Sequence, residues 1–121
     1  MIREQHQDDW IMRQVRALVA MVARALGLRT AGQNAQALME TERALHDLTG
    51  ADPALVAVIA SETLVEWIRR DANATAAREL LRASIPLLRE HAAALDASGR
   101  SNEATAFTAH AAHLERSASE I

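Results

Sequence analysis

Two carboxylates one helical turn apart are the first candidates for chemistry in this sequence. Glu62 and Glu66 are spaced i, i+4, so a helix would present them side by side. Paired carboxylates can act in acid–base catalysis or hold a cation. Arg69 and Arg70 follow Glu66 at i+3 and i+4, positions from which they would form ion pairs on the helix surface. We therefore interpret the two glutamates as surface residues.

Histidines are the second candidates, as metal ligands. His110 and His113 would share one face of a helix, and Glu42 and His46 would share a face of another. A metal site needs three or four convergent ligands, and the chain has neither the HExxH pattern nor the Glu-x-x-His pattern of di-iron bundles. We expect the two histidines at 110 and 113 to be solvated, and we expect no metal site.

Nucleophilic catalysis and phosphate binding have no recognisable motif in the chain. It contains no cysteine, no Gly-x-Ser-x-Gly motif and no glycine-rich phosphate loop, and its serines cluster at helix caps and in the tail. We therefore expect a protein that is not an enzyme and that has no cofactor.

Composition predicts an all-α protein of a single domain, residues 1–121. Half of the residues are hydrophobic, yet alanine and aliphatic side chains supply most of them, and there are only four glycines and two prolines. The net charge of −3 argues against nucleic-acid binding. The apolar runs are too short to cross a membrane, and the N-terminus is polar. We expect no membrane partner and a cytoplasmic location.

Caps, turns and apolar periodicity predict about five helices in antiparallel hairpins. Asp8 or Asp9 would cap the first helix, and Asp52-Pro53 would begin the third. Pro86 lies within an unbroken apolar pattern, which favours one kinked helix over two separate ones. Residues 1–7 would be flexible and residues 117–121 a polar tail. The predicted helices are residues 9–28, 33–48, 53–70, 74–97 and 101–118.

The first predicted helix has an unusually wide apolar face, an arc of roughly 200° at about 100° per residue. This is about twice the width that a surface helix needs. Three arginines, Arg13, Arg16 and Arg24, fill the remaining strip, which we interpret as the solvated side. The centre of the apolar face is predicted to be Ile11, Val15, Leu18, Val22 and Leu26.

Two stretches resemble known families. The segment from Ala97 to Leu114 resembles half of a tetratricopeptide repeat, a helical hairpin family that binds peptides and proteins, with glycine at the turn and alanines where helices touch. Gly32, Ala37 and Ala44 recur as Gly99, Ala104 and Ala111, each pair 67 residues apart, close to twice the 34-residue period of that family. A tetratricopeptide-like array and an irregular five-helix bundle both stay open.

The stretch QDDWIMRQV, residues 7–15, resembles the start of a family of short bacterial all-helical proteins of unknown function. Its Asp-aromatic-Ile-Met-Arg signature is matched here from Asp9 to Arg13, with tryptophan at the aromatic position. The resemblance implies an all-helical fold and no particular chemistry.

The wide apolar face of the first helix carries our functional hypothesis. We expect a non-enzymatic interaction or scaffold module that binds a protein partner or associates with itself, as a homodimer for example, through this helix. The alternative is a bundle that binds a small molecule or metal through Glu62 and Glu66 with His46 or His91. The candidate interface residues are Trp10, Met12, Arg13, Arg16 and Met21.

Overall fold

The computed structural model describes residues 2–70 and 72–121, with side chains described from residue 9 onward. It is 87% helical, and these residues contain no strand, which confirms the all-α prediction. The described helices are α1 Ile2–Thr30, α2 Asn34–Thr49, α3 Pro53–Val58, α4 Ser61–Arg69, α5 Ala74–Ala97 and α6 Ser101–Glu120. No helix in this part of the chain is long and apolar enough to cross a membrane.

The helices form a bundle with α5 at its centre. This helix packs against α1, α2, α4 and α6, and most of its side chains are buried. A narrow strip that includes Glu79, Arg82, Pro86 and Arg89 stays exposed. From α6, Phe107 packs into the core and is fully buried. Because α5 contacts neighbours on nearly every side, it accounts for much of the apolar surface that folding removes from water.

Helices α1 and α5 lie side by side and run in the same direction. Near the end of α1, the guanidinium of Arg29 donates two hydrogen bonds to the carboxylate of Glu90, from Nε at 2.6 Å and from Nη2 at 3.3 Å. The Glu90 side chain is 8% exposed, and its proximity raises the pKa of Arg29. This ion pair fixes the two helices in register.

Replacing Arg29 with alanine is expected to lower the free energy of unfolding by about 2 kcal/mol, because the buried carboxylate of Glu90 loses its partner. Urea unfolding at neutral pH measures the loss. The matched control is Arg89→Ala, which breaks an ion pair with Glu115 whose two side chains are each 56% exposed. That loss should stay below about 0.5 kcal/mol. Equal losses would contradict a structural role for the buried pair.

The positions that repeat at a spacing of 67 residues have matching structural roles. Gly32 and Gly99 both take positive φ angles, 80° and 78°, just after α1 and α5. In each turn the next residue donates a backbone hydrogen bond to a carbonyl five residues earlier, Gln33 to Leu28 and Arg100 to Leu95. The repeated alanines are all buried: Ala37, Ala44, Ala104 and Ala111.

The single helix predicted over residues 53–70 is wrong, because the chain breaks there into α3 and α4. Ile59 and Ala60 take extended conformations, with ψ angles of 160° and 145°. The predicted start is confirmed: the Asp52 carboxylate accepts a hydrogen bond from the backbone N–H of Ala54. A run of β-branched residues weakens the helix before the break, and a side chain from α6, described below, binds the carbonyl of Val56.

Helix α1 begins at Ile2, so the predicted N-cap at Asp8 or Asp9 is wrong. Residues 2–8 contain no glycine or proline and several good helix formers, so nothing in the local sequence stops the helix before the aspartates. The flexibility of residues 1–7 stays a prediction, because residue 1 lies outside the described residues and the side chains of residues 2–7 are not described. At the other end of the chain, α6 extends through most of the predicted polar tail.

The prediction of one helix across Pro86 is confirmed. Helix α5 is continuous from Ala74 to Ala97 with the proline inside it. Proline has no N–H, so the carbonyl of Arg82 loses its partner four residues later. Pro86 lies on the exposed strip of α5, where water can bind that carbonyl, and this placement reduces the cost of the proline.

Candidate interaction surface

The buried face of α1 is narrower than its sequence pattern predicts. Ile11, Leu18 and Ala25 are buried at a spacing of seven residues, between α2 and α5. Leu26 is 43% exposed, so the predicted centre line through it is wrong in the second half of the helix. Two neighbouring helices bury a face about as wide as one heptad seam, and the apolar residues on either side of it are half-buried or exposed.

A second apolar seam lies beside the buried one on α1, and we name it the outer strip: Met12, Val15, Val19, Val22 and Leu26. Its members are spaced alternately three and four residues apart, the pattern of a helix that packs against another helix. Val19 is 60% exposed, and Met12 and Leu26 are each 43% exposed. Val15 and Val22 are half-buried against the core, so the outer strip is a helix-packing surface of which Met12, Val19 and Leu26 stay exposed.

A groove of about 420 Å³ runs between the outer strip and the exposed side of α5. Its α1 wall is apolar, and its α5 wall combines apolar and charged side chains. The lining residues are Val15, Val19, Val22 and Ala23 from α1, and Glu79, Arg82, Ala83 and Pro86 from α5. The groove is thus apolar along its floor and charged at its rim on α5.

The five predicted interface residues do not form one patch. At about 100° per residue, Trp10 and Met21 lie on the flank of α1 that faces α2. Met21 lines a smaller groove there, of about 290 Å³, with side chains such as Asp47 and Leu48. Trp10, 50% exposed, lies on the same flank.

The other predicted residues of α1 lie elsewhere around the helix. Met12 belongs to the outer strip, on the flank that faces α5, and Arg16 borders that strip. Arg13 lies on the solvent side between the two flanks, and both arginines are exposed. The structure therefore separates an α5-side surface, which includes Met12 and Arg16, from an α2-side surface that includes Trp10.

Small residues lie next to the outer strip on its solvent side. Ala20, Ala23 and Gly27 are exposed, and a Cβ added at Gly27 would meet no other atom within 4 Å. Glycine inside a helix costs about 1 kcal/mol relative to alanine, and nothing within the chain requires it here. These small side chains leave a smooth surface that another helix can approach closely.

The carboxylates and histidines of the alternative hypothesis lie apart. Glu62 and Glu66 are exposed on α4, and the imidazole Nδ1 of His113 lies 3.9 Å from Oε1 of Glu62. His46 is exposed on α2. Among the described residues, no three His, Asp or Glu side chains converge as metal ligands. This placement gives the alternative hypothesis no geometric support.

His110 is buried, so the expectation that it is solvated is wrong. Its Nε2–H donates a hydrogen bond to the carbonyl of Val56, 2.8 Å away, and its Nδ1 lies 2.7 Å from the hydroxyl of Ser61. The histidine thus binds the last turn of α3 and the first residue of α4. With Phe107 and Leu114 it continues a helical apolar spacing, a pattern that could have predicted its burial.

A second buried histidine lies on the other side of Phe107. The hydroxyl of Thr41 lies 3.0 Å from the carbonyl of Leu38, which accepts from it, and 2.8 Å from Nδ1 of His91. Burial, followed by the positive charge of Arg100, lowers the pKa of His91 to about 4. His91 is therefore neutral near pH 7 and serves as a core residue.

No protein family, curated protein or solved structure matches this chain in comparisons with known proteins. The two family resemblances noted from the sequence stay predictions. The candidate site accordingly rests on the geometry of the outer strip and the groove beside it.

Proposed function

We propose that this protein is a helical interaction module that binds another polypeptide through the outer strip of α1. One observation carries the proposal: α1 bears two helix-packing seams, and the fold buries the seam of Ile11, Leu18 and Ala25 but leaves Met12, Val19 and Leu26 of the outer strip exposed. An exposed apolar seam with regular helical spacing is typical of a surface that takes part in association.

Two further features support the proposal. The small residues Ala20, Ala23 and Gly27 beside the outer strip leave room for the backbone of another helix. Two pairs of polar side chains that could do chemistry are engaged in structural hydrogen bonds, Arg29 with Glu90 and Ser61 with His110. The arrangement thus favours binding over catalysis as the role of the molecule.

A selection from a randomised library of displayed helical peptides tests this function, and it does not require an identified partner. Peptides recovered on the native protein are expected to bind at least tenfold more weakly to the Val19→Asp variant, because the new carboxylate lies in the centre of the outer strip. Val19 is 60% exposed, so this variant should fold normally. Circular dichroism and urea unfolding check its fold.

The matched control is Val58→Asp, which places the same charge at an exposed valine of α3, far along the chain from the outer strip. Peptides that bind the control as well as the native protein, but not Val19→Asp, support the proposal. Peptides that lose affinity for Trp10→Ala and not for Val19→Asp would move the interface to the α2-side surface. Recovery of no peptide that depends on α1 would refute the proposed function.

A further inference from the structure

We propose that the groove between α1 and α5 binds an amphipathic helix of another protein whose apolar stripe is flanked by acidic side chains. The inference rests on the proposed function and specifies the chemistry of the partner. Two observations carry it: the shape of the groove and the charges along its two rims.

The shape of the groove fits one helix. Its two walls are parallel helices, and its floor consists of Val15, Val19 and Val22 with Ala83 and Pro86 opposite. The lining residues of α1 span positions 15–23, about 12 Å at 1.5 Å per residue, which matches two to three turns of a bound helix. A helix laid in such a groove buries its apolar stripe and leaves its flanks at the rims.

The rims carry arginines without carboxylate partners. Arg16 borders the groove on α1 and Arg82 lines it on α5, and neither forms an ion pair within the described part of the chain. Four other arginines do have such partners, Arg24 with Glu40, Arg29 with Glu90, Arg89 with Glu115 and Arg100 with Glu103, whereas exposed arginines outside the groove, such as Arg43 and Arg116, resemble Arg16 and Arg82 in forming no ion pair among the described residues. Acidic residues on both flanks of a docked helix would pair with Arg16 and Arg82.

Glu79 is the acidic side chain that lines the groove, and it lies one turn before Arg82 on α5. It reduces the positive charge at one end of the groove, where Val15 lies, and leaves the end near Pro86 the more positive. The acidic flank that faces α5 therefore pairs with Arg82 and avoids Glu79, while the other flank faces Arg16. This difference in charge between the two ends of the groove favours one position of the bound helix along the groove over other positions.

The same charges argue against a second copy of this chain as the occupant. The outer strip of a second α1 is accompanied by its own Arg16, which would approach Arg16 and Arg82 of the first copy. Like charges brought together in an interface oppose association. Charge complementarity therefore points to a partner with acidic flanks.

Two synthetic peptides test the inference. Both carry a leucine stripe spaced for one helical face on an alanine background, with glutamates on the flanks of one and arginines on the flanks of the other. By fluorescence anisotropy at low salt, the glutamate peptide is expected to bind about tenfold more tightly than the arginine peptide. The difference should shrink as salt is added, because the pairs at the rims are partly exposed.

Charge reversal at the rims gives the decisive comparison. In a variant with both Arg16→Glu and Arg82→Glu, the arginine peptide is expected to bind more tightly than the glutamate peptide. The control variant, Arg43→Glu with Arg116→Glu, changes the net charge equally at exposed arginines outside the groove. It should keep the native preference, and a reversed preference in the control would overturn the inference.

The remaining outcomes separate this inference from the proposed function. Equal binding of both peptides, lost in Val19→Asp, would overturn the acidic partner and leave the helix-binding function intact. Binding of neither peptide, together with a native dimer in sedimentation velocity that Val19→Asp dissociates, would identify a second copy as the occupant and overturn the inference. Failure of the display selection to find any site on α1 would refute both.

Discussion

Replacing Phe107 with alanine is expected to lower the free energy of unfolding by about 4 kcal/mol. The side chain is fully buried, and its ring contacts the rings of His91 and His110 edge to face, with centroids 4.4 and 5.9 Å away. Truncation would leave a cavity between two imidazoles that other helices hold in place, so the site cannot collapse easily. Since small domains are stable by only about 5–15 kcal/mol, the loss would take a large share of the total.

Urea unfolding followed by circular dichroism measures this effect, and Phe107→Leu is the matched control. Leucine fills most of the volume and loses the two ring contacts, so its expected cost is about 1 kcal/mol. A loss near 1 kcal/mol for Phe107→Ala as well would contradict the central position of this side chain. A loss near 4 kcal/mol for both variants would assign the stability to the ring contacts rather than to the filled volume.

Most of the helices could be predicted from local signals in the sequence. Asp52 and Pro53 mark the start of α3 by a cap and a fixed φ angle, and Gly32 and Gly99 mark turns that need positive φ. These signals depend on a few neighbouring residues, so they can be recognised without the rest of the fold. The same holds for α5, whose apolar periodicity continues through Pro86 and shows that the helix does too.

The break between α3 and α4 could not be predicted in the same way. No glycine or proline lies at Ile59 or Ala60, and the partner of the freed Val56 carbonyl is His110, 54 residues away along the chain. The β-branched residues before the break are a weak local signal, and the distant side chain that completes it leaves none. Helix propensity near the break therefore predicted a continuous helix, and tertiary contacts overrode it.

The candidate surface could be predicted only in part. The width of the apolar arc on α1 indicated that some of it would stay uncovered, and the structure leaves Val19 exposed. Which part is covered depends on where α2 and α5 lie against α1, and periodicity does not contain that information. As a result Trp10 and Met12, which the sequence analysis assigned to one interface, lie on opposite flanks of α1. The groove that α1 forms with α5 was not predicted.

Acidification is expected to destabilise the native protein by about 3 kcal/mol more than it destabilises a His91→Leu variant, over the range from pH 6.5 to pH 4. Burial lowers the pKa of His91 from 6.5 in the unfolded chain to about 4 in the folded protein. Between these values the unfolded state binds the proton and the folded state does not. The contribution of this residue is therefore complete above pH 6.5 and is lost as the pH falls toward 4.

The variant isolates this titration because leucine leaves no donor or acceptor unpaired nearby. The hydroxyl of Thr41 keeps its hydrogen bond to the carbonyl of Leu38, and the other titrating groups are common to both proteins. Urea unfolding at several pH values gives the two stability curves, and their difference reports His91 directly. Of the charged groups that act on this imidazole, Arg100 lowers its pKa further and Glu103 opposes that effect. An Arg100→Gln variant should thus raise the pKa of His91 in the folded protein and narrow the pH range over which stability is lost. Parallel stability curves for the native protein and His91→Leu would instead show that the pKa of His91 is not lowered by folding.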